Sequence, residues 1–305
     1  MALNDTTTWT GAADTDWDNA SNWSNGQPDA DGTAIIDGSV DIAGEVAANP
    51  TVDRVYVAST YTGQIGSSGT PLELDFAELS VDNTNSGSAH YIGKAVTPTL
   101  NTATVTVDGL KTGNALYLSG TIDKILVEPT FIGTMYLGVS ASKTCIPKDL
   151  IMLNTTGTVD ASSAANVAWA SSSTIIVSSG TLLLGEQLGA SSTLTQSGGT
   201  ITVTGWTKVA SDVWNILGGV TNWNSGSSGV DTPTADTVTT LNVYGGTFTT
   251  AANVTAQVGL TDINQYGGTV NLQSSFPNIE IVGTYSGYAG AYSAPKQSTT
   301  TTSPK

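Results

Sequence analysis

A chain of 305 residues with 9 basic and 25 acidic side chains carries a formal net charge of −16. It has too little Lys and Arg to neutralise phosphates, which excludes nucleic acid and anionic membrane surfaces as partners. Charged residues are only 11% of the chain, against about 25% in ordinary soluble proteins, so hydroxyls and amides must cover the surface.

Residues 1–45 stand apart as an acidic, tryptophan-rich segment. They hold Trp9, Trp17 and Trp23, and seven aspartates fall between Asp5 and Asp37. The start, Met1-Ala-Leu-Asn-Asp, has no basic region followed by an apolar one, so export by a common signal peptide is not expected. The three tryptophans read as the core of a cap, because an uncovered end of stacked strands invites end-to-end pairing. Asp14-Thr-Asp16-Trp-Asp18 sets alternate carboxylates on one side of an extended segment. Calcium takes several oxygen ligands, so Asp14, Asp16 and Asp18 form a candidate metal site. The Gly and Glu of a hand-type calcium loop are missing, and an exposed acidic turn is the competing reading. Asp29-Ala-Asp31-Gly32 reads as a turn. Ala34-Ile-Ile-Asp and Val40-Asp-Ile-Ala read as strand-like.

Residues 46–288 alternate strands with small polar turns. Arg54-Val-Tyr-Val, Leu72-Glu-Leu-Asp-Phe, Ala103-Thr-Val-Thr-Val, Ala115-Leu-Tyr-Leu and Lys124-Ile-Leu-Val are predicted strands. One phrase then recurs: Ile175 to Leu182, Leu194 to Ile201, Trp214 to Thr221, Leu241 to Phe248 and Ile263 to Val270. Its second glycine position falls at Gly180, Gly199, Gly219, Gly246 and Gly268, in steps of 19, 20, 27 and 22 residues. Weaker copies run from Ala115 to Ile122 and from Met152 to Val159. A strand-type repeat near twenty residues predicts an all-β solenoid of stacked rungs. Within each copy, alternating apolar residues point inward, a glycine turns the corner at positive φ, and Thr restarts the strand. The longest step carries Asn222-Trp-Asn-Ser-Gly-Ser-Ser-Gly-Val-Asp, a predicted protruding loop. Residues 289–305, rich in Ser, Thr and Pro, read as a flexible tail.

Few residues point to chemistry. Cys145 is the one cysteine, which rules out a disulfide within the chain, and it reads as a small buried hydrophobe. His90 is the one histidine, so no histidine-based metal cluster is expected. No apolar run reaches the length of a membrane-spanning helix. Glycan cleavage uses a pair of carboxylates in a groove. Asp160, Glu186, Asp212, Asp231, Asp236 and Asp262 are widely spread acids that nothing in the sequence pairs. Trp206, Trp214, Trp223, Tyr244 and Tyr266 read either as structural stacking or as a surface for sugars or a protein partner. Tyr244 and Tyr266 share one position of the phrase and are expected to stack on neighbouring rungs.

The segment Trp9-Thr-Gly11, Trp17, Asn22-Trp23, Gly26 and Pro28 follows the pattern W-x-G…W…N-W…G-x-P. It resembles the opening of bacterial autotransporter-type β-helical proteins, where it also precedes Gly-Gly-Thr rungs. Similar pieces occur in phage virion proteins with β-helical bodies. The resemblance implies a right-handed parallel β-helix with a tryptophan-rich N-terminal cap. It also implies a homotrimer, the common assembly of such solenoids in virions. The C-terminal membrane barrel of an autotransporter has no counterpart here. The expected function is therefore a non-enzymatic phage virion structural protein, assembled in the host cytoplasm. It would bind the major capsid protein or another virion protein as a decoration, a cement or a short head fibre. The alternatives are a tailspike or host-surface adhesin, with or without polysaccharide cleavage, and a secreted bacterial surface β-helix outside the cell. No cofactor is expected beyond the calcium reading.

Overall fold

A computed structural model describes residues 6–44, 50–82, 88–94, 103–109, 115–140, 142–153, 155–163, 166–185, 188–204, 212–224, 238–250, 258–273, 279–281 and 284–293. Among the described residues, the structured elements are strands, apart from one short 3-10 turn at Ala20–Asn22. Among the described residues, no helix is long and apolar enough to cross a membrane. Two compact units are distinguished: residues 1–149 with 155–159 and 165–167, and residues 150–154 and 160–164 with 168–305.

The first unit contains β1 (Thr6–Thr8), β2 (Thr33–Ile36), β3 (Thr51–Val57), β4 (Leu72–Val81), β5 (His90–Lys94), β6 (Thr104–Val107), β7 (Ala115–Val127) and β8 (Thr134–Leu137). One parallel ladder runs β1–β2–β3–β4–β6–β7. A second runs from the first half of β4 through β5 and the first half of β7 to β8. The two long strands serve both ladders because they turn a corner within the strand; in β7 the corner is Gly120, with φ of +85°. Bridges Ile42–Ile65 and Ile65–His90 stack a further buried column. Of the two strand-like segments read near residue 40, Ala34 to Ile36 lies in β2, whereas Val40 to Ala43 contributes only the bridge at Ile42.

The strands β9 (Cys145–Met152) and β10 (Thr158–Ala161) include residues of both units. The second unit continues with β11 (Thr174–Val177), β12 (Thr181–Leu184), β13 (Thr193–Gln196), β14 (Thr200–Val203), β15 (Val213–Ile216) and β16 (Val220–Trp223). It ends with β17 (Val238–Val243), β18 (Thr247–Thr250), β19 (Val258–Gln265), β20 (Thr269–Leu272), β21 (Ile279–Ile281), β22 (Tyr285–Gly287) and β23 (Ala291–Ser293). Odd-numbered strands β11 to β19 form one parallel ladder, which ends with β21 and β22 both paired to β19. The even-numbered strands β12 to β20 form the other and end on β23. All these pairings are parallel, so each unit is a β-solenoid.

The repeated phrase is the building unit. Its first half is a strand, its glycines are the corner, and its Thr opens the next strand, as at Thr181, Thr200, Thr247 and Thr269. Inward and outward positions alternate in most of the four-residue strands, which sends Leu182, Ile201, Phe248 and Val270 into the coil with no exposure. The two glycines of a Gly-Gly corner have overlapping duties. Gly246 sits at φ +68°, where a side chain is strained. A Cβ on Gly245 would lie 2.5 Å from the Leu217 carbonyl oxygen of the preceding rung. A Cβ on Gly246 would in turn lie 2.6 Å from the Gly219 carbonyl oxygen, so both glycines let the corners stack and the second also turns the corner. Gly180, Gly199, Gly219 and Gly268 share the positive φ.

The ladder runs to Ser293, past residue 288, where the predicted solenoid stops. Tyr288-Ala-Gly-Ala is a sixth corner with φ of +100° at Gly290. Residues 294–305, the rest of the predicted tail, lie outside the described residues, as does the predicted protruding loop beyond Asn224.

Candidate functional site

At the start of the first unit, Trp9, Trp17 and Trp23 are buried and meet edge to face, with ring centroids 5.2 and 4.6 Å apart. Trp23 Nε1 donates to the Trp17 carbonyl at 2.9 Å and Trp9 Nε1 to the Val40 carbonyl at 3.1 Å. Residues 24–26 lie along β1. Ser24 N donates to the Thr8 carbonyl, Thr8 N to the Ser24 hydroxyl, and Asn25 Nδ2 to the Thr6 carbonyl. These bonds take up the edge of β1 that β2 does not use.

Of the three aspartates proposed from sequence as metal ligands, Asp14 and Asp16 are bonded within their own turn and Asp18 is bonded to Gln27 beyond it. Asp14 accepts from Asp16 N, Asn22 Nδ2 and Asn19 Nδ2, and these bonds hold its carboxyl below the usual range. Asp16 accepts from Asp18 N, and Asp18 from Gln27 Nε2. Buried Asn22 ties the turn together, accepting from Ala13 N and Asp14 N and donating to the Asp16 carbonyl. Among the described residues, no group of three or more His, Cys, Asp or Glu side chains converges to hold a metal.

The buried polar groups were not legible from sequence. Lys94 Nζ pairs with Asp75 at 2.5 Å, donates to the Phe76 carbonyl, and lies 5.2 Å from the centre of the Phe76 ring. Both charged side chains are almost fully buried. Glu73 crosses the place where Gly93 has no side chain and meets Lys143 at 2.5 Å. His90 is buried, and desolvation pushes its pKa down to about 4. Cys145 is fully buried, and burial pushes its thiol up to about 12, so it is no nucleophile at neutral pH.

Of the acids named as catalytic candidates, Glu186, Asp231 and Asp236 lie outside the described residues. Asp160 accepts from Ser162 N. Asp262 is held by the amide and hydroxyl of Thr284. Asp212 is buried beside Trp214, and burial pushes its pKa up to about 7. Val213 pairs with Thr240 and Thr240 with Asp262, so Asp262 occupies an outward column. Asp212 lies one residue out of that column and points inward. The two carboxylates do not face each other.

The aromatic residues divide in the same way. Trp206 lies outside the described residues. Trp214 and Trp223 have no exposure; they meet inside the coil at 5.5 Å, and Trp223 meets Phe248 at 6.3 Å. For Trp214 and Trp223 the structural-stacking reading holds and the surface reading does not, because both fall on the inward-facing positions of their strands. Tyr244 and Tyr266 do stack on neighbouring rungs, with centroids 4.8 Å apart and planes 8° apart. Tyr288, which the sequence reading missed, extends the stack at 5.1 Å and 3°. The signal for it was present in Tyr288-Ala-Gly-Ala, where the phrase loses its first glycine and its Thr. A second stack, Tyr91–Tyr117–Tyr136, has both spacings at 4.5 Å in the first unit.

The tyrosine ladder of the second unit is the most exposed of these features. Tyr244, Tyr266 and Tyr288 are 48, 43 and 60% exposed, and Leu217, in the same phrase position one rung earlier, is 48% exposed. Together they form a ridge along one corner. Beside it run the paired glycines 218–219, 245–246 and 267–268, a trough without side chains. On the other side Asn215, Asn242 and Asn264 form an amide ladder, each Nδ2 donating to the preceding Oδ1 at 3.0 Å. Beneath the corner, Gln265 Nε2 donates to the carbonyls of Gly268 and Ala291, and Gln196 makes the matching bonds to Gly199 and Val220.

Comparison with protein-family models, with curated proteins and with solved structures returns no match. The functional reading therefore rests on the geometry and on the sequence pattern.

Proposed function

We propose that this protein is a non-enzymatic structural component of a phage particle. It works by protein–protein binding: a rigid β-solenoid that decorates or cements the capsid or projects from it as a short head fibre. In this reading the coil is right-handed, the tryptophan cluster caps its first rung, and copies associate as a homotrimer. The observation that carries the reading is the use of outward-facing polar side chains. The Asn215–Asn242–Asn264 amides bond one another, Asp262 bonds Thr284 of the next rung, Asp14 and Asp16 bond their own turn, and Asp18 bonds Gln27. Side chains spent on rung-to-rung bonds stiffen a scaffold and are held away from chemistry. The sequence resemblance to β-helical virion proteins supplies the kind of particle.

The test is co-sedimentation of the purified chain with assembled capsids stripped of accessory proteins. Saturable pelleting at a fixed ratio to the major capsid protein is expected. A chain that stays in the supernatant at all capsid concentrations contradicts the proposal.

A further inference from the structure

We infer that the ridge of Leu217, Tyr244, Tyr266 and Tyr288 is the face on which copies of this chain pack side by side, the ridge of one seated in the glycine trough of another. The inference rests on the reading of the protein as a self-associating structural component and supplies the face that reading leaves unnamed.

The first support is alignment. Single exposed apolar residues are ordinary, but here four fall in one column at 43 to 60% exposure, and contiguous apolar surface of that kind marks an interaction site. The second is shape. Ridge and trough run beside each other with the spacing of the rungs. A second copy has the same spacing, so mismatch does not accumulate along the contact. A ridge on one copy entering the trough of the next is a heterologous contact, which closes into a ring when the rotation between copies is that of a trimer.

The third support is charge. Two chains of net charge −16 repel wherever their acidic surfaces face. Among the described residues from 168 onward, the charged ones are Asp212, Asp262 and Glu280. Asp212 is buried, and Asp262 lies four residues from Tyr266, about 13 Å along the strand. The ridge and trough columns hold none of them. This is where copies meet with little Coulomb penalty.

Ring orientation favours a protein occupant over a glycan. The tyrosines stack nearly parallel to one another, so their flat faces cover each other and their edges project. A sugar stacking on an aromatic needs an open face, whereas an edge-on ring with a hydroxyl suits a backbone trough.

Sedimentation equilibrium of the intact chain, with and without Tyr266→Ser, tests the inference. Serine is a native occupant of this column at Ser178 and Ser197, so the corner accepts it. A reversible oligomer whose dissociation constant rises about 30-fold in the variant is the expected result, the loss typical of an interface tyrosine. Tyr266→Cys gives a second readout, because Cys145 is buried. Mild oxidation should link Tyr266→Cys copies through that position, while Asn271→Cys, on the other ladder, should stay unlinked. An oligomer unaffected by Tyr266→Ser and unlinked through Tyr266→Cys overturns the assignment of this face but leaves self-association standing. A monomeric wild type at all concentrations overturns both, including the case where it binds a glycan through the ridge.

Discussion

Lys94 and Asp75 put a charged pair inside a solenoid that sequence patterning describes as apolar. Losing one partner strands the other charge in the core, which typically costs about 3–5 kcal/mol. Lys94→Met is therefore expected to lower the urea midpoint sharply, and Lys94→Met with Asp75→Leu to recover most of the loss. Equal loss in both variants would show that the pair is not the buried unit described. Two further buried groups predict pH dependence of opposite sign. His90 holds a folded pKa of about 4 against an ordinary 6.5. Its contribution is full above 6.5 and is lost as pH falls towards 4, because the unfolded chain takes up the proton first. Asp212 holds about 7 against an ordinary 3.8, so its contribution is full below 3.8 and is lost as pH rises through 7. Denaturant titrations between pH 4 and 7 should show Asp212→Asn removing a downward slope and His90→Gln removing an upward one. Unchanged slopes would contradict both assignments. None of these partners was legible, since a period-two pattern says which residues point inward but not which inward residues meet. Glu73 reaching Lys143 over Gly93 is the plainest case: the two ends lie 70 residues apart.

At the scale of the element, the corner was the most legible part of the chain. Gly-Gly-Thr predicts a turn followed by a strand, and the structure places both there because the second glycine turns the corner at positive φ and both leave room for the neighbouring rung. Gly246→Ala meets both a positive φ of +68° and a contact of 2.6 Å with the Gly219 carbonyl oxygen. Gly38→Ala meets a positive φ of +92° with nothing within 4 Å. Left-handed backbone alone costs about 1–2 kcal/mol, so thermal unfolding should show that loss for Gly38→Ala and a clearly larger one for Gly246→Ala. Equal losses would mean that the stacking contact contributes nothing. The amide ladder gives a parallel prediction. Asn242 donates to Asn215 and accepts from Asn264, so Asn242→Asp sets oxygen against oxygen on one side and should cost about 1–2 kcal/mol. The sequence failed where the phrase decays. Tyr288-Ala-Gly-Ala keeps the tyrosine and the turning glycine but not the words around them. The stack of Tyr91, Tyr117 and Tyr136 sits in the triplets His90-Tyr91-Ile92, Leu116-Tyr117-Leu118 and Met135-Tyr136-Leu137, whose steps of 26 and 19 residues match the phrase but whose turns lack the Gly-Gly-Thr that makes the phrase visible.

For the molecule as a whole, repeat length and composition were enough for the architecture, because a short strand-type repeat has few ways to bury its apolar face other than by stacking. They were not enough for the site. Burial decided which aromatics face outward: Trp214 and Trp223 went inside, and the tyrosines of one corner stayed out. Charge is unevenly placed. Acidic residues crowd the first unit, and the described part of the second carries almost none, which leaves the exposed ridge and trough as its most distinctive surface. The central claim is a structural role on an assembled particle. Quantitative mass spectrometry of purified phage particles from the source culture tests it most directly. The account predicts the chain in many copies, at a fixed ratio to the major capsid protein. A chain missing from the particles and recovered only from the culture medium or the bacterial surface would contradict it.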